Sequence, residues 1–517
     1  MITILDEKQI AEKAIPLHII DKQIDNFING FPFIQLVRPA SKGDGILSFE
    51  KEAQSFYQSY FRSVIPNLKV VKFVPASGAA SRMFKHLFEY KEMLLQSKSK
   101  ISEPLIDPGF ATAPYFLTKL SKIAFYKTLC ALLKRNELDL EKIFTDQTVS
   151  ELLDFILNEN GLNYANLPKA LILFHDYPGG ARTAAEEHLV EAANYTKDKY
   201  GKARIHFTIS PEHLEKFTDL FSKVKTKYEK EFKVNFDISY SVQKPSTDVL
   251  AVDENNEPFR NQDGSLLFRP GGHGALIQNL NEIDADLVFI KNIDNIVPDH
   301  LKDQTYRYKE LIGGYLLWIK DKIFTFLREA ENGSIPRNDL MEMLLFAKER
   351  LMLSFPEKFN LYSENEKLTF LVSRISRPIR VCGMVRNEGE PGGGPFWVAG
   401  RENEQSLQIV ESSQVNLLDE DQNKIWRSAT YFNPVDLVCS YSDHHGRKYD
   451  LSRFVDEKTG FISIKSSGGK NLKAQELPGL WNGSMAGWLT LFIEVPIITF
   501  NPVKTVNDLL RKEHLAG

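Results

Sequence analysis

The sequence predicts a three-layer α/β/α sandwich around a mixed, mostly parallel sheet. Three observations carry that expectation. Short buried runs of β-branched and aromatic residues alternate with helical patterns between about residues 68 and 300. The 517 residues are 43% apolar and 26% charged, enough for a large buried core and no composition for disorder. The links that follow the strands are rich in small residues, glycines and placed charges, and ligands of such sheets sit beyond the carboxyl ends of strands. A net charge of −4 with both signs interspersed argues against nucleic acid as the main partner. Cys130, Cys382 and Cys439 stand far apart with no CxxC and no Cys/His cluster, so neither a zinc site nor a disulfide framework is expected. Asp6 and Glu7 stand where a signal peptide needs basic and then apolar residues. The apolar run 488–500 holds Glu494 and Pro496 and is too short to span a bilayer, so a soluble, cytosolic protein with no membrane partner is expected.

Residues 1–66 read as a helical N-terminal extension, with Ile10, Ala14 and Leu17 on one apolar face and Phe27, Ile28, Phe31 and Phe33 on another. Residues 67–375 read as the α/β core with a helical insertion at about 90–165, and residues 376–517 as a β-rich part that completes it. Val70-Val71-Lys72-Phe73-Val74 is the first buried strand. Ala170 to Phe174, Arg204 to Ile209, Phe236 to Val242 and Asp286 to Ile290 are further strands. Ala184 to Tyr195 reads as a helix, and Ser210-Pro211 as an N-cap and first helical residue of another. Helical patterns then fill 304–330 and 338–353, followed by β-rich runs at 380–385 and 395–399.

Four strand-end loops hold the residues that could carry chemistry. Ser77-Gly78-Ala79-Ala80-Ser81-Arg82-Met83-Phe84-Lys85 combines bare backbone N–H groups before a helix with two cations, an arrangement suited to an anion or to an ordinary tight turn. Arg269-Pro270-Gly271-Gly272-His273-Gly274 lets backbone approach a flat or charged ligand closely. Asp294, in Lys291-Asn292-Ile293-Asp294-Asn295, follows a buried strand and suits Mg²⁺, which binds through one or two carboxylates plus substrate phosphates. The fourth is Phe500-Asn501-Pro502-Val503-Lys504-Thr505-Val506-Asn507-Asp508-Leu509-Leu510.

Taken in this order, the Gly-His-Gly loop, the strand ending in Asn-x-Asp-Asn and the late Phe-x-Pro-Val-Lys-Thr-x-x-Asp-Leu-Leu segment resemble the UDP-sugar pyrophosphorylases. The whole chain also resembles a family of unknown function common among Bacteroidetes. The first resemblance implies a GT-A-like nucleotidyltransferase core that joins a nucleoside triphosphate, UTP above all, to a sugar 1-phosphate with Mg²⁺. It also implies roles. Ser77, Gly78 and Ala79 would line the triphosphate loop, with Arg82 and Lys85 neutralising phosphate charge. Gln243 would read uracil, Gly272 and His273 would border the nucleoside and α-phosphate, Asp294 would hold the metal, and Lys504 would reach the transferring phosphate.

Arg182 and Thr183, in the stretch His175-Asp176-Tyr177-Pro178-Gly179-Gly180-Ala181-Arg182-Thr183, suit a sugar phosphate, or else a strand-to-helix turn followed by solvated Glu186 and Glu187. Gly393, in Glu388-Gly389-Glu390-Pro391-Gly392-Gly393-Gly394-Pro395-Phe396, resembles the glycine stretch lying over the sugar in the acetylhexosamine enzymes. Asn482 is a candidate sugar contact, while Trp481 and Trp488 read as core.

The departures are equally specific. Only Gly78 survives of the family's Gly-Gly-x-Gly-Thr-Arg loop, and the lysine-proline-lysine segment expected soon after it is missing. Two other readings follow from that erosion: a non-catalytic binder of nucleotides or sugar nucleotides, and a GT-A glycosyltransferase. The latter is disfavoured because Asn292-Ile293-Asp294 supplies one carboxylate where an Asp-x-Asp motif supplies two.

Overall fold

A computed structural model describes residues 2–97, 109–145, 148–331, 335–389, 392–400, 404–467 and 469–515. The chain divides into two compact units. The first comprises residues 1–73, 241–290 and 310–496, and the second 74–240, 291–309 and 497–517.

In the first unit, strands run side by side in the order Ser41–Lys42, Gly45–Leu47, Leu489–Glu494, Ile379–Arg386, Asp436–Ser440, Leu287–Lys291 and Val70–Pro75. Leu287 to Ile290 pair in parallel with Val70 to Phe73, and Ile379–Arg386 is parallel to Leu489–Glu494. Asp436–Ser440 is antiparallel to Ile379–Arg386. The class is therefore mixed α/β with a large, mostly parallel sheet. The central strands read as continuous apolar runs because they are covered on both faces: all five residues of Leu287–Lys291 are buried. Two smaller antiparallel sheets complete this unit, Leu36–Pro39 with Gly394–Ala399 and Gln405–Val410, and Phe268–Arg269 with Val249–Val252, Lys470–Glu476 and Phe461–Ser467. Its core gathers Phe73, Val288, Ile290, Met384, Leu437, Leu480 and Phe492.

The first sixty-six residues are not helical throughout. Helices Ile4–Glu12, Leu17–Asn29 and Lys51–Val64 form, but Gly30, at φ +71°, ends the second before Phe31 and Phe33 can extend its face. The next stretch is β instead, and Ile46 and Leu47 pair with Phe492 and Ile493 in the main sheet. The glycine followed by Phe-Pro was the stop signal in the sequence.

In the second unit, Lys202–Ile209 and Asn235–Val242 lie side by side, and Ala76 N–H donates to Thr208 O at 2.8 Å. Helix Ala184–Tyr195 packs on Lys202–Ile209 and on helix Leu214–Phe232. Between Lys85 and Leu157 the described residues form helices Lys85–Ser97, Ala113–Thr118, Tyr126–Arg135, Leu140–Thr145 and Val149–Leu157. Their apolar faces (Leu87, Phe116, Leu129, Leu133, Leu153, Ile156) join one core with Phe174, Leu189, Ile205 and Phe207, so these helices are part of the unit rather than an appendage. Cys382 and Cys439 are buried and Cys130 is half-buried, all three unpaired. No helix among the described residues is long and apolar enough to cross a membrane.

Candidate functional site

The second unit gathers three of its predicted segments around one carboxylate. Asp294 lies three residues past the end of strand Leu287–Lys291 and is 6% exposed. Its Oδ2 accepts from Lys169 Nζ at 2.8 Å and from Lys504 Nζ at 3.1 Å. Burial pushes the Asp294 carboxyl up, but the two ammonium groups outweigh it and hold the pKa below the ordinary value, so the side chain is ionised. Lys169 is depressed in turn, first by burial and then, against the pull of Asp294, by Lys504 and Arg82. Two cations thus face one carboxylate, a third, Arg82, lies within electrostatic reach of Lys169, and among the described residues no ion pair compensates Arg82. That surplus positive charge is what an anionic ligand would meet.

Backbone contacts fix each member. The loop at 291–295 is held from below by helix Ala184–Tyr195: Lys291 Nζ pairs with Glu191 at 2.8 Å, and His188 Nε2–H donates to Ile293 O at 3.1 Å. Val503 N–H donates to Asp294 O and Asn501 N–H to Asn295 Oδ1, each at 3.0 Å, which docks the late segment against the loop. Asp508 Oδ2 accepts from the N–H groups of Lys504 and Thr505, a capping arrangement that sets where the Lys504 stem starts. The Lys504 side chain itself is 56% exposed, and its ammonium is held at the surface of the cluster by Asp294. Ala79 bridges Pro168, Ala80 N–H donates to Leu167 O, and Lys169 N–H to Gly78 O. The small-residue loop is therefore zipped to the backbone that carries Lys169.

Lys169 is the residue that sequence reasoning missed. The expected lysine-proline-lysine segment is absent next to the loop, but Leu167-Pro168-Lys169 reaches the same loop from beyond the inserted helices. Its signal was a Pro-Lys pair just before a buried strand. Lys85, by contrast, is exposed and pairs with Glu89 one helical turn on, apart from this cluster. Residues 80–84 form a 3₁₀ turn before the α-helix starts at Lys85, so Arg82 lies in the turn and not on the helix.

Arg182 and Thr183 stand elsewhere in this unit. Arg182 grips both oxygens of Asp299 at 2.8 and 2.9 Å, with its guanidinium 4.2 Å from the Tyr177 ring centroid. Thr183 caps helix Ala184–Tyr195 in a capping box with Glu186. The glutamates after it are not solvated: Glu187 and Glu191 are fully buried and Glu186 nearly so. Burial is tolerated because each charge has partners remote in sequence. Glu187 takes Lys302 at 2.5 Å, Tyr177 OH at 2.7 Å and His175 Nδ1–H at 2.9 Å. With Nδ1 donating, His175 Nε2 accepts from His514 Nδ1–H at 3.0 Å. The chain's last described turn is thus clasped into the core.

Burial, reinforced by His175, pushes His514 down to about 3, so it folds neutral. A histidine held neutral favours the folded state above its ordinary pKa. Below it the unfolded chain takes up the proton first, so stability falls as pH drops from about 6.5 toward 3, by up to about 1.4 kcal/mol per pH unit. Melting curves between pH 7 and 5 should show that slope in the wild type and a shallower one in His514→Asn; parallel slopes would refute the assignment.

The first unit holds the remaining candidates. His273 stacks on Trp481, with centroids 4.1 Å apart and planes at 10°, and its Nδ1 accepts from Leu480 N–H at 3.0 Å. Burial lowers His273 to about 4, so the ring is neutral. Gly272 adopts φ +76°, and a Cβ there would collide with the Glu476 carboxylate. Asn482 lies with His273 around Gly479, its Oδ1 buried and unpartnered. Gln243 also carries an unpartnered buried amide nitrogen. Gly393 is packed against Ile409, and its carbonyl accepts from Asn433 N–H at 2.9 Å; Glu390 and Pro391 of that stretch lie outside the described residues. Trp488 is core, as expected, at 3% exposure.

A family model described as Domain of unknown function (DUF4301) matches residues 3–515. No curated protein matches the chain. Among solved structures, the chain is similar to the uridine diphosphate N-acetylglucosamine pyrophosphorylase of Trypanosoma brucei, at 10% identity and TM-score 0.47 over 92% of this chain and 72% of that one. It is similar also to a variant UDP-glucose pyrophosphorylase of Leishmania major solved with UDP-glucose, at 12% identity and TM-score 0.45 over 98% and 77% of the two chains. A UDP-glucose phosphorylase of Trypanosoma brucei gives 12% identity and TM-score 0.44 over the same shares.

Proposed function

The chain belongs to the DUF4301 family over nearly its whole length, and from its own residues we propose that it is a Mg²⁺-dependent sugar-1-phosphate nucleotidyltransferase. A nucleoside triphosphate, UTP by the sequence resemblance, would react with a sugar 1-phosphate to give a nucleotide sugar and pyrophosphate. The observation that carries this reading is the ionised Asp294 between Lys169 and Lys504, beside a loop of small residues and Arg82. Those are the groups that polyphosphate chemistry needs, contributed by separate segments of the chain.

In the reaction, an oxygen of the sugar phosphate attacks the α-phosphorus in line. The bond from that phosphorus to the oxygen bridging the α- and β-phosphates breaks, and pyrophosphate leaves. The attacking phosphate is already a competent nucleophile, so the protein's work is alignment and charge neutralisation. Lys504, rooted at Asp508 and held by Asp294 at the exposed side of the cluster, would neutralise charge on the transferring phosphate. Lys169, fixed by Asp294 and by Val503 O at 2.8 Å, would supply a stationary positive field. Arg82 and those N–H groups of 77–82 not engaged in the pairing with Leu167 would hold the triphosphate. Asp294 fits a one-carboxylate Mg²⁺ site completed by substrate phosphates; the metal would screen their charge. By the sequence resemblance alone, Gln243, Gly272, His273, Gly393 and Asn482 of the first unit are the candidates for contacts to base and sugar.

The test is pyrophosphate release with Mg²⁺ from each common triphosphate against a panel of sugar 1-phosphates. Release that needs both substrates is the expected result. A rise in melting temperature with UTP or a UDP-sugar, but no release from any pair, would replace the enzyme with a nucleotide-binding protein.

A further inference from the structure

Within the first unit a cavity of about 210 Å³ opens between residues 351–354, the end of helix Glu364–Ile375 and the first residues of strands Gln405–Val410 and Leu489–Glu494. It lies at the amino ends of strands, whereas the loops considered above follow carboxyl ends. Two arginines line it, and they differ. Arg374 is paired, with Nη2 at 2.5 and 2.6 Å from the two Glu404 oxygens. Arg377 is not. Its one hydrogen bond runs from Nη2 to Ser373 O at 3.1 Å, its Nε has no acceptor, and among the described residues no carboxylate forms an ion pair with it. Burial first, and then repulsion from Arg374, lower Arg377 to about 10. The Trp488 Nε1–H, in the same lining, also has no acceptor. Met352 in the wall holds φ +51°, a left-handed conformation that is strained for a residue with a side chain.

Buried charges are normally paired and buried donors normally bonded. Here both missing partners, at Arg377 Nε and Trp488 Nε1, are acceptors. The lining's Glu404 carboxylate attracts Arg377 but is bound by Arg374, which leaves the two arginines and one carboxylate with a surplus positive charge. We propose that this cavity binds a small phosphate-bearing metabolite, at a site separate from the Lys169–Asp294–Lys504 cluster. Phosphate suits it better than carboxylate because the guanidinium, the indole N–H and the hydroxyls of Ser354 and Ser406 come from different segments. Tetrahedral oxygens meet more of those directions than two coplanar ones. The volume is below the roughly 300–1,000 Å³ of drug-sized sites, which restricts the ligand to a phosphate with a few carbons.

Calorimetric titration of the full chain with inorganic phosphate, glycerol 3-phosphate and malate, in chloride of matched ionic strength, tests this. Saturable binding of a phosphate probe is expected in the wild type and in Lys504→Ala, weakened at least about tenfold in Arg377→Gln. Hydrogen exchange should slow at 351–354 and 404–407. Ser406→Phe, which fills the cavity and leaves the guanidinium intact, should show the same loss and serves if Arg377→Gln does not fold. The proposal is overturned by absence of phosphate binding, by undiminished binding in the folded cavity variants, by loss in Lys504→Ala, or by malate binding more tightly than phosphate.

Discussion

Lys504→Ala is expected to lower turnover about a hundredfold or more while shifting the melting temperature by no more than a degree or two. The two halves of that expectation have different causes. The ammonium is half-exposed and its removal leaves Asp294 still paired with Lys169, so little folding energy is lost. The segment stays docked through Val503, Asn501 and Asp508, none of which uses the Lys504 side chain. In the proposed reaction, what would disappear is a preorganised cation where negative charge develops. Steady-state kinetics beside a melting curve separate the two; near-normal turnover would remove Lys504 from the mechanism.

Lys169→Met is expected to cost stability as well, about 2–3 kcal/mol. Removing one partner from a buried ion pair generally costs 3–5 kcal/mol, and Lys504 remains to compensate part of it. The variant also loses the bond from Nζ to Val503 O. The pH dependence gives an independent check. In the wild type the Asp294 carboxyl is held below its ordinary pKa, so its contribution is present above the usual carboxylate range and is lost as pH falls through the lowered folded value. Without Lys169 the folded pKa rises, and acid destabilisation should begin at higher pH. Denaturant unfolding of both proteins across the acid range measures this, and superimposable pH profiles would contradict the pairing.

Local pattern and tertiary compensation divide what was legible. Strands such as Val70–Pro75 and Leu287–Lys291 were readable because burial on both faces leaves an uninterrupted apolar run, and Asp294 stood out as the acid directly beyond one. Lys504 was marked by the motif around it. Lys169 was hidden because the inserted helices separate it in sequence from the loop it joins in space. Glu187 read as solvent-facing because its partner, Lys302, lies more than a hundred residues on. The strands between Leu36 and Leu47 were missed for a like reason: their pairing partners are near Trp397 and Phe492, invisible to any local window.

The most direct measurement is the reverse reaction, run side by side in the wild type and Lys504→Ala with a nucleotide sugar, labelled pyrophosphate and Mg²⁺. The proposed centre predicts label entering the nucleoside triphosphate in the wild type, with the rate down about a hundredfold in the variant. Equal labelling in both proteins, or none with any nucleotide sugar, would contradict it.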